Sequence, residues 1–342
     1  MPVSAFGPLR RASALAILGG ALLVGALPFA IPTAQAADDL PVVRLGVLKF
    51  GTVNWELTSM QHHGLDTANG FALDIVPFAG GDATEIALQG GAVDVIVSDW
   101  LWVSRLRSEG TPLAFVPYSS SVGAIMVADD ADIASLADLR GSKIGVAGGP
   151  LDKSWLLLQG HARQTHDLDL AAENDIVFGA PPLLAEKARS GELDAVLNYW
   201  HYNARLEAEG FRRLVSAEEA ANALGASGPV SSIGYVFDEE WAKEAPIEGF
   251  IEASRQTKQL LADSDEEWQR LAGSGAIKDG PDALIVLRDR FREGIPSRPL
   301  ADEIEDTAIV YGVLAELGGW KLVGQARSMA PGTYWGGAGS GH

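Results

Sequence analysis

Cysteine is absent from this chain, and basic residues are scarce. Its 342 residues include no Cys, and 26 Lys and Arg stand against 45 Asp and Glu, for a formal net charge of -19. The lack of cysteine excludes disulfides, thiolate nucleophiles, cysteine-based zinc sites and lipid attachment to an N-terminal cysteine. The acidic charge, with no basic run, argues against nucleic acid as a partner and against an anionic membrane surface. Because 47% of the residues are hydrophobic, the chain is long and apolar enough for two folded domains.

The first 36 residues have the pattern of a secretory signal peptide. Arg10 and Arg11 precede an uncharged apolar stretch over 12–31, and Ala34-Gln35-Ala36 supplies the small residues of a cleavage site. Glycines and a proline dilute this stretch, which disfavours a membrane anchor of about 20 strongly apolar residues. Cleavage after Ala36 removes two arginines and no acidic residue, leaving 24 basic and 45 acidic residues and a formal charge of -21. We expect the mature protein to be free in a periplasm, with Sec export favoured over twin-arginine export.

Short apolar runs alternate with amphipathic stretches from residue 42 onward, which is typical of βα units around a largely parallel sheet. The pattern predicts strands at 42–47, 73–77, 93–97, 143–147 and 175–178, helices at 55–63, 82–89 and 153–162, a short capped helix at 135–138, and a helix with a capping box starting at Ser264. The sequence therefore predicts an α/β fold.

One phrase of the sequence occurs twice. Segments 91–100 and 191–200 share Gly, Asp and Trp at a spacing of 100 residues, which suggests two lobes built on one plan. Gly91 and Gly191 are expected to end helices in the left-handed conformation. The last residues of both segments then follow strands, at the edge where open α/β sheets bind ligands.

Three segments carry a family resemblance. Segments 87–94, 134–146 and 183–195 resemble, in order and spacing, the periplasmic substrate-binding proteins of ABC importers for nitrate, sulfonates, taurine and thiamine precursors. The similarity extends over about 42–260. It implies a two-lobed type II periplasmic binding protein fold with a hinge of two crossover segments, near 117–124 and 228–234.

The same resemblance divides the chain. It implies a first part of lobe one at 37–121, lobe two at 122–229, and a second part of lobe one at 230–330 with a helical C-terminal region. Within that region, the amphipathic stretch 304–317 is expected to pack back on lobe one. The tail at 331–342 is expected to be flexible.

Four loops that follow predicted strands are expected to converge on a cleft between the lobes. Glycines there let the backbone approach a ligand, and helix N-termini supply N–H donors. The candidate ligand-binding residues are Thr52, Asn54, Trp55, Gly80, Gly81, Asp82, Ser98, Asp99, Trp100, Asp152, Ser154, Tyr199 and Trp200. Trp55, Asp99 and Trp200 are the expected groups for stacking and charge recognition, and Thr52, Asn54 and Ser98 for hydrogen bonding.

Structural roles compete with these assignments. Asp82 is also a natural helix N-cap, Asp152 and Lys153 can pair with each other, and Trp100 and Trp200 are also candidates for the core. The loops contain more acidic than basic side chains, with Glu56, Asp82, Asp99 and Asp152 against Lys49 and Lys153. This excess favours a cation, or a neutral molecule with N–H donors.

The sequence analysis thus predicts a monomeric periplasmic receptor that binds a small solute and presents it to the membrane permease of an ABC importer, without a cofactor and without catalytic residues. A receptor for Ca²⁺ or a lanthanide, held by the loop carboxylates, is the alternative ligand class. An enzyme on the same fold is less favoured, because the chain contains neither Gly-x-Ser-x-Gly nor His-Glu-x-x-His.

Overall fold

The structure, a computed structural model, describes residues 40–337. The predicted signal peptide, 1–36, lies outside the described residues, and so does the end of the predicted tail, 338–342. Within residues 40–337, no helix is both long and apolar enough to cross a membrane.

Strands and helices alternate along most of the described chain. The strands are β1 (Val42–Leu48), β2 (Ala72–Phe78), β3 (Val95–Ser98), β4 (Leu113–Ser119), β5 (Ala124–Ala128), β6 (Lys143–Ala147), β7 (Asp175–Gly179), β8 (Ala195–Asn198), β9 (Phe211–Ser216) and β10 (Ile233–Asp238). The helices are α1 (Val53–His62), α2 (Leu65–Ala68), α3 (Gly81–Gln89), α4 (Trp100–Ser108), α5 (Lys153–His166), α6 (Pro181–Arg189), α7 (Trp200–Ala208), α8 (Ala217–Ala223), α9 (Glu239–Ala242), α10 (Ile247–Asp263), α11 (Asp265–Gly273), α12 (Pro281–Glu293), α13 (Leu300–Gly318) and α14 (Trp320–Val323).

Two five-stranded sheets share one topology. The first has the order β2-β1-β3-β10-β4 and the second the order β7-β6-β8-β5-β9. In the first, β1 pairs in parallel with β2 and β3, and β10 runs antiparallel to β3 and β4. The second sheet repeats this arrangement around β6 and β5. We call the first sheet with its helices lobe one and the second lobe two; the predicted two-lobed α/β fold is confirmed.

The repeated phrase of the sequence builds the same corner in each lobe. Gly91 and Gly191 have φ of 69° and 72°, the left-handed conformation expected for a residue that ends a helix. Asp94 accepts a hydrogen bond from a β1 backbone N–H at 2.8 Å, and Asp194 accepts one from a β6 N–H at 2.7 Å. The repeat therefore anchors β3 to β1 and β8 to β6.

Local signals set several helix starts, with one exception. The short helix predicted at 135–138 is a 3-10 turn whose Ser135 and Asp138 form a capping box, as expected. Ser264 caps α11 by accepting the N–H of Glu267 at 3.1 Å. The reciprocal half of the predicted capping box is wrong, because the Glu267 carboxylate binds Arg270 and Ser59 instead.

The chain crosses between the lobes at 120–123 and again at 224–232. In the first crossover, the N–H of Ser120 donates to the carbonyl oxygen of Gly294, after α12, at 2.9 Å. In the second, Asp306 of α13 accepts from the N–H and the Oγ of Ser227 at 2.8 and 2.9 Å. C-terminal helices therefore anchor both crossovers.

Helix α13 contacts both lobes. Its Tyr311 ring lies 6.4 Å from the ring of Trp100 in lobe one. Its Leu317 side chain lies against Gly160 of α5 in lobe two. Helix α13 therefore packs on lobe one as expected, and its apolar face is wide enough to cover α5 of lobe two as well.

Candidate functional site

A cavity of about 360 Å³ lies between the lobes, at the carboxyl ends of the strands. This volume is in the range of sites for small organic molecules. Its wall consists of Gly46, Val47, Leu48, Gly51, Thr52, Val53, Thr84, Val97 and Asp99 from lobe one, Asp152, Lys153, Ser154, Tyr199, Trp200 and His201 from lobe two, and Ser121, Val122, Gly123, Ser232 and Ile233 in and beside the crossovers.

Six of the predicted ligand-binding residues line this cavity, and they come from both lobes. They are Thr52, Asp99, Asp152, Ser154, Tyr199 and Trp200. Trp200 serves both of the roles considered for it, since it lines the cavity and is only 7% exposed. Its ring packs edge-on against Trp55 at 6.1 Å.

The other seven predicted residues lie outside the cavity wall. Trp55 is 5% exposed in the lobe-one core, with its ring 5.7 Å from that of Trp268. Asn54 donates from Nδ2 to two backbone carbonyls of its own loop, each at 2.8 Å, so it fixes the turn before α1. Trp100 is 3% exposed and borders an adjoining pocket of about 40 Å³, which shares Lys153 and Ser154 with the cavity wall.

The loop between β2 and α3 contributes differently from the prediction. Gly80 is the N-cap of α3, and Asp82 lies exposed in its first turn without a capping bond. Neither Gly81 nor these two residues line the cavity, whereas Thr84, one turn later, does. Ser98, at the end of β3, donates to the carboxylate of Glu85 at 3.1 Å.

Several wall residues were not among the predicted ones. Lys153 and His201 are neighbours in the chain of the predicted residues Asp152, Ser154 and Trp200. Ser121 and Ser232 belong to segments that the sequence marked only as hinges. The small, polar composition of those segments is the signal that could have identified them, since such residues suit a wall that a ligand approaches closely.

An ion pair crosses the cavity. Lys153, at the start of α5 in lobe two, donates from Nζ to Oδ2 of Asp99 in lobe one at 2.9 Å. Burial lowers the pKa of Lys153, but the charges of Asp99 and Asp152 and the hydrogen bond to Asp99 outweigh it and raise that pKa overall. The expected pairing of Lys153 with Asp152 is replaced by this contact between lobes.

The other ionisable groups of the wall are affected mainly by burial. Burial raises the pKa of Asp152, which the Trp155 N–H and the charge of Lys153 oppose. Burial, followed by the charge of Asp152, raises the pKa of Tyr199. Burial also lowers the pKa of His201 to about 4, so its imidazole is neutral at pH 7.

Four helices begin at or beside the cavity, and they differ in their caps. Asp99 caps α4 by accepting the Trp102 N–H at 2.9 Å, and Asp152 caps α5 by accepting the Trp155 N–H at 3.0 Å. No side chain caps α1 or α7. The first N–H groups of α1 are partly taken up by carbonyl oxygens of its own turn. The first two residues of α7 line the cavity, so the start of that helix can donate N–H groups to a ligand.

Helices α7 and α12 carry further ion pairs between the lobes. Arg205 binds both oxygens of Asp279, before α12, at 2.6 and 3.0 Å. Glu207 accepts from Arg290 of α12 at 2.9 Å. These contacts hold the start of α7, with Tyr199 and Trp200, in place against lobe one.

The carboxylates considered for a metal site do not form one. Glu56 is fully buried and paired with Lys258, and Asp82 lies on the outside of α3. Asp99 and Asp152 are both engaged as helix caps. Across residues 40–337, no group of three or more His, Cys, Asp and Glu side chains is arranged to hold a metal ion.

Solved structures share this architecture. The periplasmic aliphatic sulphonate-binding protein SsuA from Escherichia coli superposes with a TM-score of 0.67 at 18% identity, over 86% of this chain and 92% of that chain. The alkanesulfonate-binding SsuA from Xanthomonas axonopodis pv. citri, bound to MOPS, gives 0.62 at 16% identity, over 86% and 98%. An ABC transporter protein from Parabacteroides distasonis gives 0.67 at 12% identity, over 86% and 98%. These likenesses establish the shared fold.

Sequence comparison gives the family. No curated protein matches the chain significantly. The family model described as NMT1/THI5 like matches residues 52–267, which is more than half of the chain. The resemblance carried by segments 87–94, 134–146 and 183–195 is thereby confirmed, and the chain belongs to the NMT1/THI5-like family.

Proposed function

We propose that this protein is a periplasmic receptor that binds a small organic solute between its lobes and delivers it to the membrane permease of an ABC importer. The observation that carries this proposal is the cavity of about 360 Å³, whose wall comes from both lobes and both crossovers. The fold neighbours described as sulfonate-binding proteins, and the one described as an ABC transporter, support it. The signal-peptide pattern of 1–36 supports a periplasmic location.

Ligand binding and closure are one process in this proposal. A solute touches Thr52 and Asp99 on one side, and Ser154, Tyr199 and Trp200 on the other. It makes both sets of contacts only when the lobes are together, so its binding energy favours the closed state. The lobes comprise 37–121 with 230–330, and 122–229, and the receptor acts as a monomer, without a cofactor, catalysis or nucleic acid.

Thermal melting of the purified protein tests the proposal. The panel contains alkanesulfonates and taurine, pyrimidines, amines, nitrate, Ca²⁺ and a lanthanide. A ligand at 100 times its dissociation constant stabilises the folded protein by about 2.7 kcal/mol, which a melt detects. We expect one organic class to raise the melting temperature and to be recovered unchanged.

Two tyrosines of the same region make a matched pair of variants. Tyr199 lines the cavity, whereas Tyr202, one turn into α7, packs against Arg205 at 5.4 Å. Tyr199→Ala should remove most of the ligand-induced shift, and Tyr202→Ala should retain it. A metal as the sole stabilising compound, or equal shifts in both variants, contradicts the proposal. Periplasmic fractions should contain the chain shortened by residues 1–36.

A further inference from the structure

The ionisable groups of the cavity wall do not balance in charge. They are Asp99, Asp152, Lys153, His201 and Tyr199; the Tyr199 phenol is neutral at pH 7 because burial raises its pKa. Lys153 is paired with Asp99 at 2.9 Å, and His201 is neutral at pH 7 because burial lowers its pKa to about 4. One carboxylate, that of Asp152, is left over.

Backbone N–H groups of Ser154 and Trp155 hold the Asp152 carboxylate. Its Oδ1 accepts the Trp155 N–H at 3.0 Å. Among residues 40–337, no Lys, Arg or His side chain forms an ion pair with it. Burial raises its pKa despite the opposing N–H groups of Trp155 and Ser154 and the neighbouring charge of Lys153. A positive group in the cavity would compensate for that burial.

An anionic solute meets a less favourable arrangement. At the ammonium of Lys153 it would share that cation with Asp99 and would lie near the negative charges of both Asp99 and Asp152. At the starts of α4 and α5, where anions commonly bind, the caps Asp99 and Asp152 already accept one N–H each and add negative charge. The uncapped start of α7 is available to a carbonyl, hydroxyl or carboxylate elsewhere on the solute.

Aromatic side chains complete the surroundings of Asp152. The ring of Tyr199 is 41% exposed and lines the same cavity with Trp200. Such rings attract cations through their faces. The formal charge of -19 on the chain adds a long-range field of the same sign.

We propose that the solute carries a protonated amine, and that this amine binds the carboxylate of Asp152 beside the ring of Tyr199. The inference rests on the proposed receptor function and names the chemical class that the receptor accepts. A cavity of about 360 Å³ has room for an apolar body attached to the amine, and for an acceptor group that meets the start of α7.

Three probes with the same phenyl group separate charge from shape: 2-phenylethylamine is cationic, phenylalanine is zwitterionic, and 3-phenylpropionate is anionic. Calorimetric titration of the purified protein should show that both amines bind about tenfold or more tightly than 3-phenylpropionate. Asp152→Asn should remove this preference, since asparagine keeps the helix cap and loses the charge. Asp238→Asn is the matched control, because Asp238 caps α9 and does not line the cavity.

The outcomes separate the two proposals. Tighter binding of 3-phenylpropionate, or an amine preference that survives in Asp152→Asn, overturns the inference and leaves the receptor function standing. No binding of either amine at millimolar concentration also overturns it. If, in addition, no compound of the wider panel stabilises the protein, the receptor function falls too.

Discussion

Replacing Lys258 with methionine leaves a carboxylate in the lobe-one core without its cation. Glu56 is fully buried and accepts hydrogen bonds from Nζ of Lys258 at 2.7 Å, from the hydroxyl of Tyr235 at 2.8 Å and from Oγ of Ser254 at 2.6 Å. The same Nζ lies 4.3 Å from the centre of the Tyr118 ring. Burial lowers the pKa of Lys258, and the charge of Glu56 opposes that change.

The expected loss follows from what remains after the substitution. Removing one member of a buried ion pair costs about 3–5 kcal/mol, because the other charge stays desolvated. Methionine keeps most of the length and apolar contact of the lysine chain, and two hydroxyl donors remain on Glu56. We therefore expect Lys258→Met to lower the free energy of unfolding by about 3 kcal/mol, a large part of the 5–15 kcal/mol typical of folded domains.

Guanidinium unfolding followed by tryptophan fluorescence measures this loss. Glu56→Gln should also be destabilising, and the double variant should lose less than the two single losses combined, by about 1 kcal/mol or more. Lys243→Met is the matched control. Lys243 pairs with Glu240 at 2.6 Å, but the two side chains are 63% and 68% exposed, so its loss should stay below about 1 kcal/mol.

Two results would refute the reasoning. A loss below about 1 kcal/mol in Lys258→Met would mean that the Glu56 carboxylate is stabilised without its cation. Additive losses in the double variant would mean that the two side chains act independently. In either case the pair is not what holds α1 to α10.

Three further predictions concern packing and titration. Gly249→Ala should destabilise the fold by about 1–3 kcal/mol, because the alanine Cβ would clash with the backbone oxygen of Asn69. Gly312→Ala, whose Cβ would meet no atom within 4 Å, should stabilise it by about 0.5–1 kcal/mol. Equal effects of the two variants in thermal melts would contradict this. Glu267 has its pKa lowered from 4.5 to about 2, with Arg270, His63 and Ser59 outweighing burial. Its contribution, about 3 kcal/mol at most, is present above pH 4.5 and is lost as the pH falls toward 2, so the stability gap between the protein and Glu267→Gln should shrink over that range. The His201 ring should titrate near pH 4 by NMR; a midpoint above 6 would show that it is solvated.

The repeated phrase explains why the architecture could be predicted. Its glycine, aspartate and tryptophan each have a local cause: a helix end, an anchor for the central strand, and the first residue of the next helix. Such causes operate over a few residues or between neighbouring strands, so the local order of residues in the sequence indicates them. The predicted strands at 42–47, 73–77, 143–147 and 175–178 accordingly match observed strands within one residue at each end.

The site was harder to predict because it depends on which side of each loop faces the cavity. Thr52 lines it, whereas Trp55, three residues later, lies in the core. That difference is set by where α1 begins, and Thr52 makes no side-chain cap that marks the start. Glu56 lies in a loop predicted to face the cleft, yet its carboxylate pairs in the core with Lys258, which is 202 residues away in the chain. No local pattern reveals a partner at that distance.

The two lobes follow one plan and differ at one pair of equivalent positions beside the cavity. Residues 99 and 199 are equivalent N-caps, of α4 and α7. Asp99 satisfies the start of its helix and takes the charge of Lys153. Tyr199 cannot cap, so it leaves the first N–H groups of α7 to the cavity and presents a ring to it. Under the proposed function, the cavity thus has a carboxylate, that of Asp152, and uncapped N–H donors at the start of α7, both in lobe two. A solute with an amine and an acceptor at opposite ends meets both groups in lobe two, and its contacts with Thr52 and Asp99 of lobe one then favour the closed state.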